Sequence, residues 1–415
     1  MTENSDQSRS RWLVLVAAFL GWMFDGLEMG IFPLVARPAL QDLLGVTGDA
    51  NVGKWMGIIT ALFLVGAALG GLVFGWLGDR IGRVRAMSLS ILTYSIFSGL
   101  CAFAGAPWHL GALRFFAALG MGGEWSLGVA LVMECWPEKH RPLLAGVIGA
   151  AANVGFLLIA VLGVFVKITT SSWRWVMIAG AAPAVLTFFI QIFVPESEKW
   201  KASVQRSPGN EKPLQILFSN KPLLINTVLA IGFASIALIG TWGSVQWLPL
   251  WADQMTGGKV PAAKAMTQIL SGVGAIIGCF IGPWIGGRMG RRPAYFILCL
   301  GSLISCGFLF RTVSEYNALF LITVGVVGCV TAAFYGWFPL YLPELFPTRV
   351  RATGQGLSYN FGRILAAAGA LGQGQLVAHY GGSYAQAGAT ITLIYLVGLF
   401  LIWLAPETKG KPLPE

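Results

Sequence analysis

Apolar residues in this chain run together in long stretches, with no sustained two-residue alternation. Twelve such stretches can be marked, at roughly 12–36, 54–77, 85–105, 108–134, 142–166, 173–194, 222–251, 265–288, 293–312, 316–340, 350–379 and 383–404. About twenty apolar residues cross a bilayer as one helix, so the pattern predicts an all-α membrane protein with twelve transmembrane helices. One long polar gap, from Pro195 to Lys221, divides the stretches six and six, and its Pro, Ser, Lys, Glu and Asn content reads as a hydrated linker. The expected organisation is an N-terminal six-helix bundle (1–194), a cytoplasmic linker (195–221) and a C-terminal six-helix bundle (222–415). The first stretch follows a polar start ending at Arg11, is longer than a cleavable signal core and contains two acids, so it is expected to be a retained span.

Composition narrows the class further. Of 415 residues, 56% are hydrophobic and 11% charged, against roughly 25% charged in soluble domains. Disorder, a collagen-like fibre and a set of soluble domains are excluded. The net charge of +10 raises nucleic acid as a partner, but no basic patch is interleaved with aromatics. Lys and Arg sit instead in short loops between apolar stretches. With the N-terminus inside, nineteen of the 28 fall on the cytoplasmic side and seven on the other (Arg37, Lys54, Lys167, Arg174, Lys259, Lys264 and Arg311), with Arg114 and Arg363 inside spans. Both termini are therefore expected in the cytoplasm, in a plasma (inner) membrane protein.

The two halves repeat. Gly78-Asp79-Arg80-Ile81-Gly82-Arg83 returns as Gly286-Gly287-Arg288-Met289-Gly290-Arg291, Glu134-x-x-Pro137-x-x-x-Arg141 as Glu344-x-x-Pro347-x-x-x-Arg351, and Pro195-Glu196-Ser197 as Pro406-Glu407-Thr408. Three matched landmarks near half the chain length indicate duplication, and paired six-helix bundles around a midplane cavity are a transporter architecture.

These motifs, with the stretch Gly75–Arg85 and the PESEKW and PETKG endings, resemble the major facilitator superfamily over the whole chain. Three segments are similar to its sialate/lactate-type and aromatic-acid proton symporters: Asp25-Gly26-Leu27-Glu28, Met121-Gly122-Gly123-Glu124-Trp125, and Leu342 to Gly354 (LPELFPTRVRATG). In those symporters the first span usually has D-G-x-D, and here Glu28 replaces the second Asp. The resemblance implies that the Asp79 loop, with Arg80 and Arg83, ties the two bundles together in the outward-open state.

Ionisable residues inside spans are costly and point to function. Asp25 lies roughly 20 Å along its helix from Arg11, near the middle of a ~30 Å core. Glu28 shares its face, roughly 5 Å on along the axis; the two read as proton coupling or gating, as a structural pair, or as a cation site. Glu124 reads as a second proton site or a salt-bridge member, and Arg114 as an outer gate partner for Glu28 or a snorkelling side chain. Arg363 is the midplane cation of the second half, and its two-fold counterpart is Asn153; together they suit a clamp for a small organic anion, unless Arg363 is paired with Asp25 or Glu28. Tyr359 and Asn360 beside Arg363, with Trp242, Gln246 and Trp247 in span seven, are further candidates for the cavity wall. Asp79 can face an arginine or the positive N-terminus of span eleven, and Gly287 in its place in the second half suggests a weaker second latch.

Other chemistries lack their residues. The six cysteines show no CxxC pair and the three histidines stand apart, so neither a metal site nor a disulfide framework is expected. No Walker motif is present for ATP drive, and no cluster of His, Cys or Ser/His/Asp suits an enzyme. Duplication and the latch motifs argue against a channel. The expectation is a proton-coupled symporter for a small organic anion, most readily a lactate-like monocarboxylate, working as a monomer by alternating access. Its alternative is a sugar-like or aromatic solute. The only cofactor expected is the coupling proton, and the partners are a small carboxylate and the lipid bilayer.

Overall fold

The computed structural model describes residues 2–45, 50–165, 169–206, 213–257, 259–260 and 262–415. In the first half the helices are α1 (Thr2–Leu44), α2 (Ala50–Ile81), α3 (Arg83–Leu100), α4 (Pro107–Cys135), α5 (Arg141–Phe165), α6 (Trp173–Ala179) and α7 (Ala184–Phe193). Two short helices, α8 (Glu198–Arg206) and α9 (Pro213–Ser219), lie in the linker region. The second half holds α10 (Lys221–Gly243), α11 (Leu248–Thr256), α12 (Ala263–Met289), α13 (Arg291–Thr312), α14 (Ala318–Leu345), α15 (Arg351–His379), α16 (Tyr384–Ile391) and α17 (Ile394–Leu401).

Among the described residues, eleven helical stretches are long and apolar enough to cross a membrane; α6 with α7, and α16 with α17, each make one of them. The remaining long helix, α15, has 29 residues, about 43 Å at ~1.5 Å per residue. Gln355, Asn360, Arg363 and Gln373 lower its apolarity and are buried in the protein. Large apolar side chains, among them Val185, Phe188, Ile192, Ile322 and Phe400, stand exposed around the outside. A water-soluble surface does not present such a belt, and the chain is a multi-pass, all-α membrane protein.

Local sequence explains the helix ends. Pro107 opens α4, where the missing N–H of proline would be unsatisfied anyway. The side chains of Asn220, Asn317 and Ser383 accept from backbone N–H groups at the starts of α10, α14 and α16. Between α2 and α3 the chain turns at Gly82 (φ 106°), and between α12 and α13 at Gly290 (φ 104°). A side chain would be strained in that conformation, and a Cβ would also meet the carboxyl of Glu196 at Gly82 and of Glu407 at Gly290.

Within each half, α1 packs on α4 and α5, α2 and α3 on α4, α10 on α15, and α12 and α13 on α14. The halves meet where α5 lies against α12 and α14, and α2 against α15. Gly26 of α1 and Gly155 of α5 face the partner helix backbone so closely that a Cβ would lie 2.1 Å and 1.9 Å from the carbonyls of Ala152 and Met23. That close approach seats α1 directly against the α5 backbone.

Candidate functional site

One end of the molecule is sealed by charge. Asp79, at the end of α2, accepts from the Thr353 backbone N–H (2.8 Å), the Thr353 hydroxyl (2.5 Å) and Arg83 (2.7 Å). The first two lie in the opening turn of α15, where unpaired N–H groups and the helix dipole favour an anion. Arg83 also donates to the Thr348 carbonyl (2.7 Å) and to Glu134 (3.2 Å). From the second half, Arg351 reaches Glu134 (2.8 Å) and the Pro414 carbonyl (2.7 Å). The Ser197 hydroxyl donates to Glu134, and the Trp200 indole to the Asp79 carbonyl (3.0 Å). Arg80 lies outside this seam, exposed, with its guanidinium 4.9 Å from the Trp76 ring. The Arg11 carbonyl accepts from Trp136 near the same seam (3.1 Å), so both terminal segments lie on this face, called here the linker face.

The second half repeats the network without a counterpart of Asp79. Arg291 grips Glu344 through two hydrogen bonds (2.9 and 2.6 Å), and the Thr408 hydroxyl donates to Glu344 (2.6 Å). Gly287, in the place of Asp79, faces the Pro142 ring, and Arg141 pairs with its own neighbour Glu138 (3.2 Å). Burial pushes the Glu407 carboxyl up, but the backbone N–H groups of Arg291, Arg292, Lys409 and Thr408 more than offset it and hold it below the ordinary range. The stabilisation from that clasp is complete above the ordinary glutamate range and is lost as pH falls through the lowered value.

Loss of the Asp79 charge is expected to loosen the seam. Asp79→Asn keeps the shape but weakens several charge-assisted hydrogen bonds, each worth about 1.5–3 kcal/mol. Substrate turnover should fall roughly tenfold or more, while binding to the cavity changes little. Side-by-side transport and binding assays on purified protein check this, and unchanged turnover would reduce Asp79 to a topology residue.

Inward of the seam lies a cavity of about 210 Å³ between the halves. Trp22 of α1, Trp125 of α4 and Tyr359 of α15 form one wall; the Trp125 and Tyr359 rings stack at 4.3 Å. Arg363 opens onto the same space, its guanidinium 5.0 Å from the Tyr359 ring and 6.0 Å from that of Trp22. It is 7% exposed and donates to the Asn360 side chain (2.9 Å). Among the described residues no carboxylate forms an ion pair with it, so the pairing with Asp25 or Glu28 considered from sequence is absent here.

Asn360 does not line the cavity. Its amide donates to the carbonyls of Gly122 (3.2 Å) and Gly356 (3.0 Å), so it fixes Arg363 from behind. Asn153 of α5 does line it, with only long contacts to the Gly149 carbonyl (3.5 Å) and Cys279 Sγ (3.6 Å). Gln246 and Trp242 line it as well, but Trp247 turns away: its indole donates to the Trp242 carbonyl (3.1 Å) and its ring lies 6.1 Å from that of Tyr384. The reason is local. Helix α10 stops at Gly243 and Val245–Trp247 form a single 3₁₀ turn, which breaks the helical spacing that placed Trp247 on the wall.

Of the buried acids, Glu28 finds the partner suggested by the sequence, while Asp25 pairs with neither Glu28 nor Arg363. Glu28 forms an ion pair with Arg114, whose guanidinium also lies 4.6 Å from the Phe63 ring and 4.9 Å from that of Phe32. Both partners belong to the first half, so the pair bolts α1 to α4 and bridges no gate, and Arg114, 1% exposed, does not snorkel. Asp25 instead lies one turn from Gly21, against which the Glu124 carboxyl of α4 is packed. All four carboxyl oxygens of Asp25 and Glu124 are buried without a donor among the described residues. Because α1 and α4 run antiparallel, Glu28 meets Arg114 near one end while Glu124 lies about two turns back along α1, beside Gly21. A Cβ at Gly21 would lie 1.5 Å from Glu124 Oε1. That glycine, one turn before Asp25, was the sequence signal for an incoming side chain.

Known proteins share this fold. The Major Facilitator Superfamily pattern matches residues 12–370, and the chain belongs to that superfamily: it is a membrane transporter, not an enzyme. It is 30% identical over 417 residues to a probable 4-methylmuconolactone transporter of Cupriavidus pinatubonensis, covering 98% of this chain and 92% of that one. It is 29% identical over 414 residues to a putative metabolite transport protein of Haemophilus influenzae, covering 97% and 98%. In fold it is similar to the proton:xylose symporter XylE, with a TM-score of 0.79 and 98% of each chain covered, at 18% identity.

Proposed function

We propose that the protein carries a small organic monocarboxylate with a flat, unsaturated body, together with protons, by alternating access. The observation that carries this reading is Arg363: a nearly buried guanidinium on a cavity, with no carboxylate paired to it among the described residues and two aromatic rings beside it. A guanidinium takes a carboxylate through two parallel hydrogen bonds, and stacked Trp and Tyr faces suit a flat solute better than a lactate-sized one. The relative named for 4-methylmuconolactone supports the same class.

Asp25 and Glu124 are proposed as the proton carrier. Two ionised carboxylates side by side without a donor repel, and one shared proton removes that repulsion. No cofactor beyond the proton is invoked. The helix α15 is proposed as the twelfth span, with bundles at 1–194 and 222–415 joined by 195–221, and the transporter as a monomer. The linker face is assigned to the cytoplasm from the bias of nineteen Lys and Arg against seven.

Two measurements test this. Purified protein in liposomes should accumulate benzoate more strongly than lactate or xylose, and only with a pH gradient directed inward. A reporter fused after Glu415, or a tag within 198–210, should be cytoplasmic; an outside signal from either would sink the orientation and the twelve-span count.

A further inference from the structure

A second cavity, of about 240 Å³, adjoins the first on the side away from the linker face. The two share Asn153, Phe156, Thr241, Gln246 and Tyr335, so they adjoin along a common wall, and the second is the end that Arg363 does not line. The new end is built by the early turns of α12, at Gln268 and Ser271, and by Thr331 of α14. Ser271 lies eight residues into α12, about 12 Å along its axis at ~1.5 Å per residue.

The lining of this end contrasts with that around Arg363. It carries amides and hydroxyls but no charged side chain among the described residues. Thr331 already donates to the Val327 carbonyl (2.7 Å), which leaves its oxygen an acceptor. The Thr241 oxygen is buried without a hydrogen-bond partner. Polar groups held at a buried wall without partners lose free energy unless water or a ligand satisfies them.

We propose that this second cavity is a neutral subsite for the uncharged, hydrogen-bonding end of the substrate: a hydroxyl, carboxamide or ring carbonyl. The inference rests on Arg363 as the carboxylate anchor. The substrate is then a two-ended molecule, with one charge at Arg363 and an uncharged polar group toward Gln268 and Ser271. A second carboxylate would leave water for a wall with no cation to receive it, so dicarboxylates of the same length are rejected.

Three probes separate the ends: benzoate, 4-hydroxybenzoate and terephthalate, which share a ring and one carboxylate and differ only at the far position. Binding is read as quenching of tryptophan fluorescence on the purified protein. The parent should bind 4-hydroxybenzoate about five- to tenfold more tightly than benzoate, and terephthalate more weakly than either. Gln268→Leu with Ser271→Ala should erase the preference for 4-hydroxybenzoate and leave benzoate binding unchanged, which also reports an intact fold. Gln268→Lys, which supplies the missing cation, should raise terephthalate affinity at least tenfold.

An unchanged ratio of 4-hydroxybenzoate to benzoate in the double variant, with both still bound, overturns the subsite and reduces the second cavity to an access funnel. Terephthalate binding as tight as benzoate in the parent overturns it too. If benzoate fails to bind the parent, or binds Arg363→Ala undiminished, the anchor itself is wrong and the subsite falls with it. The two failures are thus told apart by benzoate alone.

Discussion

Replacing Arg363 by lysine should weaken benzoate binding by roughly ten- to a hundredfold, although the charge is kept. Lysine presents a compact ammonium and cannot form the two parallel hydrogen bonds that guanidinium makes to a carboxylate. It also lacks the flat face that lies over Tyr359, and it cannot be held by the Asn360 oxygen in the same orientation. Arg363→Ala should be worse, because the described lining of the cavity then holds no cation to receive the carboxylate. The measurement is binding by equilibrium dialysis alongside counterflow in liposomes. If Arg363→Lys binds benzoate as tightly as the parent while Asp25→Asn abolishes binding, the roles are reversed, and the cargo is a cation or a neutral polyol.

Asp25→Asn and Glu124→Gln should each abolish accumulation driven by a pH gradient while sparing exchange of substrate for substrate. Either change leaves one carboxyl in the dyad and removes the shared proton, while neither residue lines the cavity. Exchange needs only loaded carriers to reorient, whereas accumulation needs the proton to load and leave in each cycle. Glu28→Gln should fail differently. It strands Arg114 in a dry site, and breaking a buried pair from one side costs about 3–5 kcal/mol. Lower thermal stability and yield are expected, with coupling intact in whatever protein survives. Parallel loss of coupling and unchanged stability in Glu28→Gln would return the proton site to the Asp25–Glu28 face.

Much of the frame was legible in the chain. Apolar stretches located the helices because a bilayer demands continuous runs, and the three repeated motifs mark one buried network per half: Arg83, Glu134 and Glu196 in the first, Arg291, Glu344 and Glu407 in the second. Asp79 meets the start of α15 as dipole reasoning suggested. What escaped depended on contacts between helices or on a break within one. Spacing along α1 puts Asp25 and Glu28 on one face, and Arg114 was legible as a partner for Glu28, yet spacing cannot say that α4 also brings Glu124 beside Asp25 or that the Glu28–Arg114 pair stays within one half. Trp247 was misplaced because sequence spacing assumes a continuous helix past Gly243. Asn360 looked like a ligand group because its obligations to the α4 backbone are invisible from α15 alone.

The bolt between Glu28 and Arg114 has a consequence for biogenesis. Its partners are 86 residues apart, so during synthesis the first span carries two acids while its counter-ion has yet to be made. A charged side chain at the centre of an inserting helix costs about 2.5–3.5 kcal/mol. Helix α1 is therefore a poor lipid-facing segment on its own, and it is expected to stay at the insertion machinery until α4 emerges with Arg114. The order of assembly in this half is written into a pair of charges, and a variant made apolar at both positions should leave that machinery sooner.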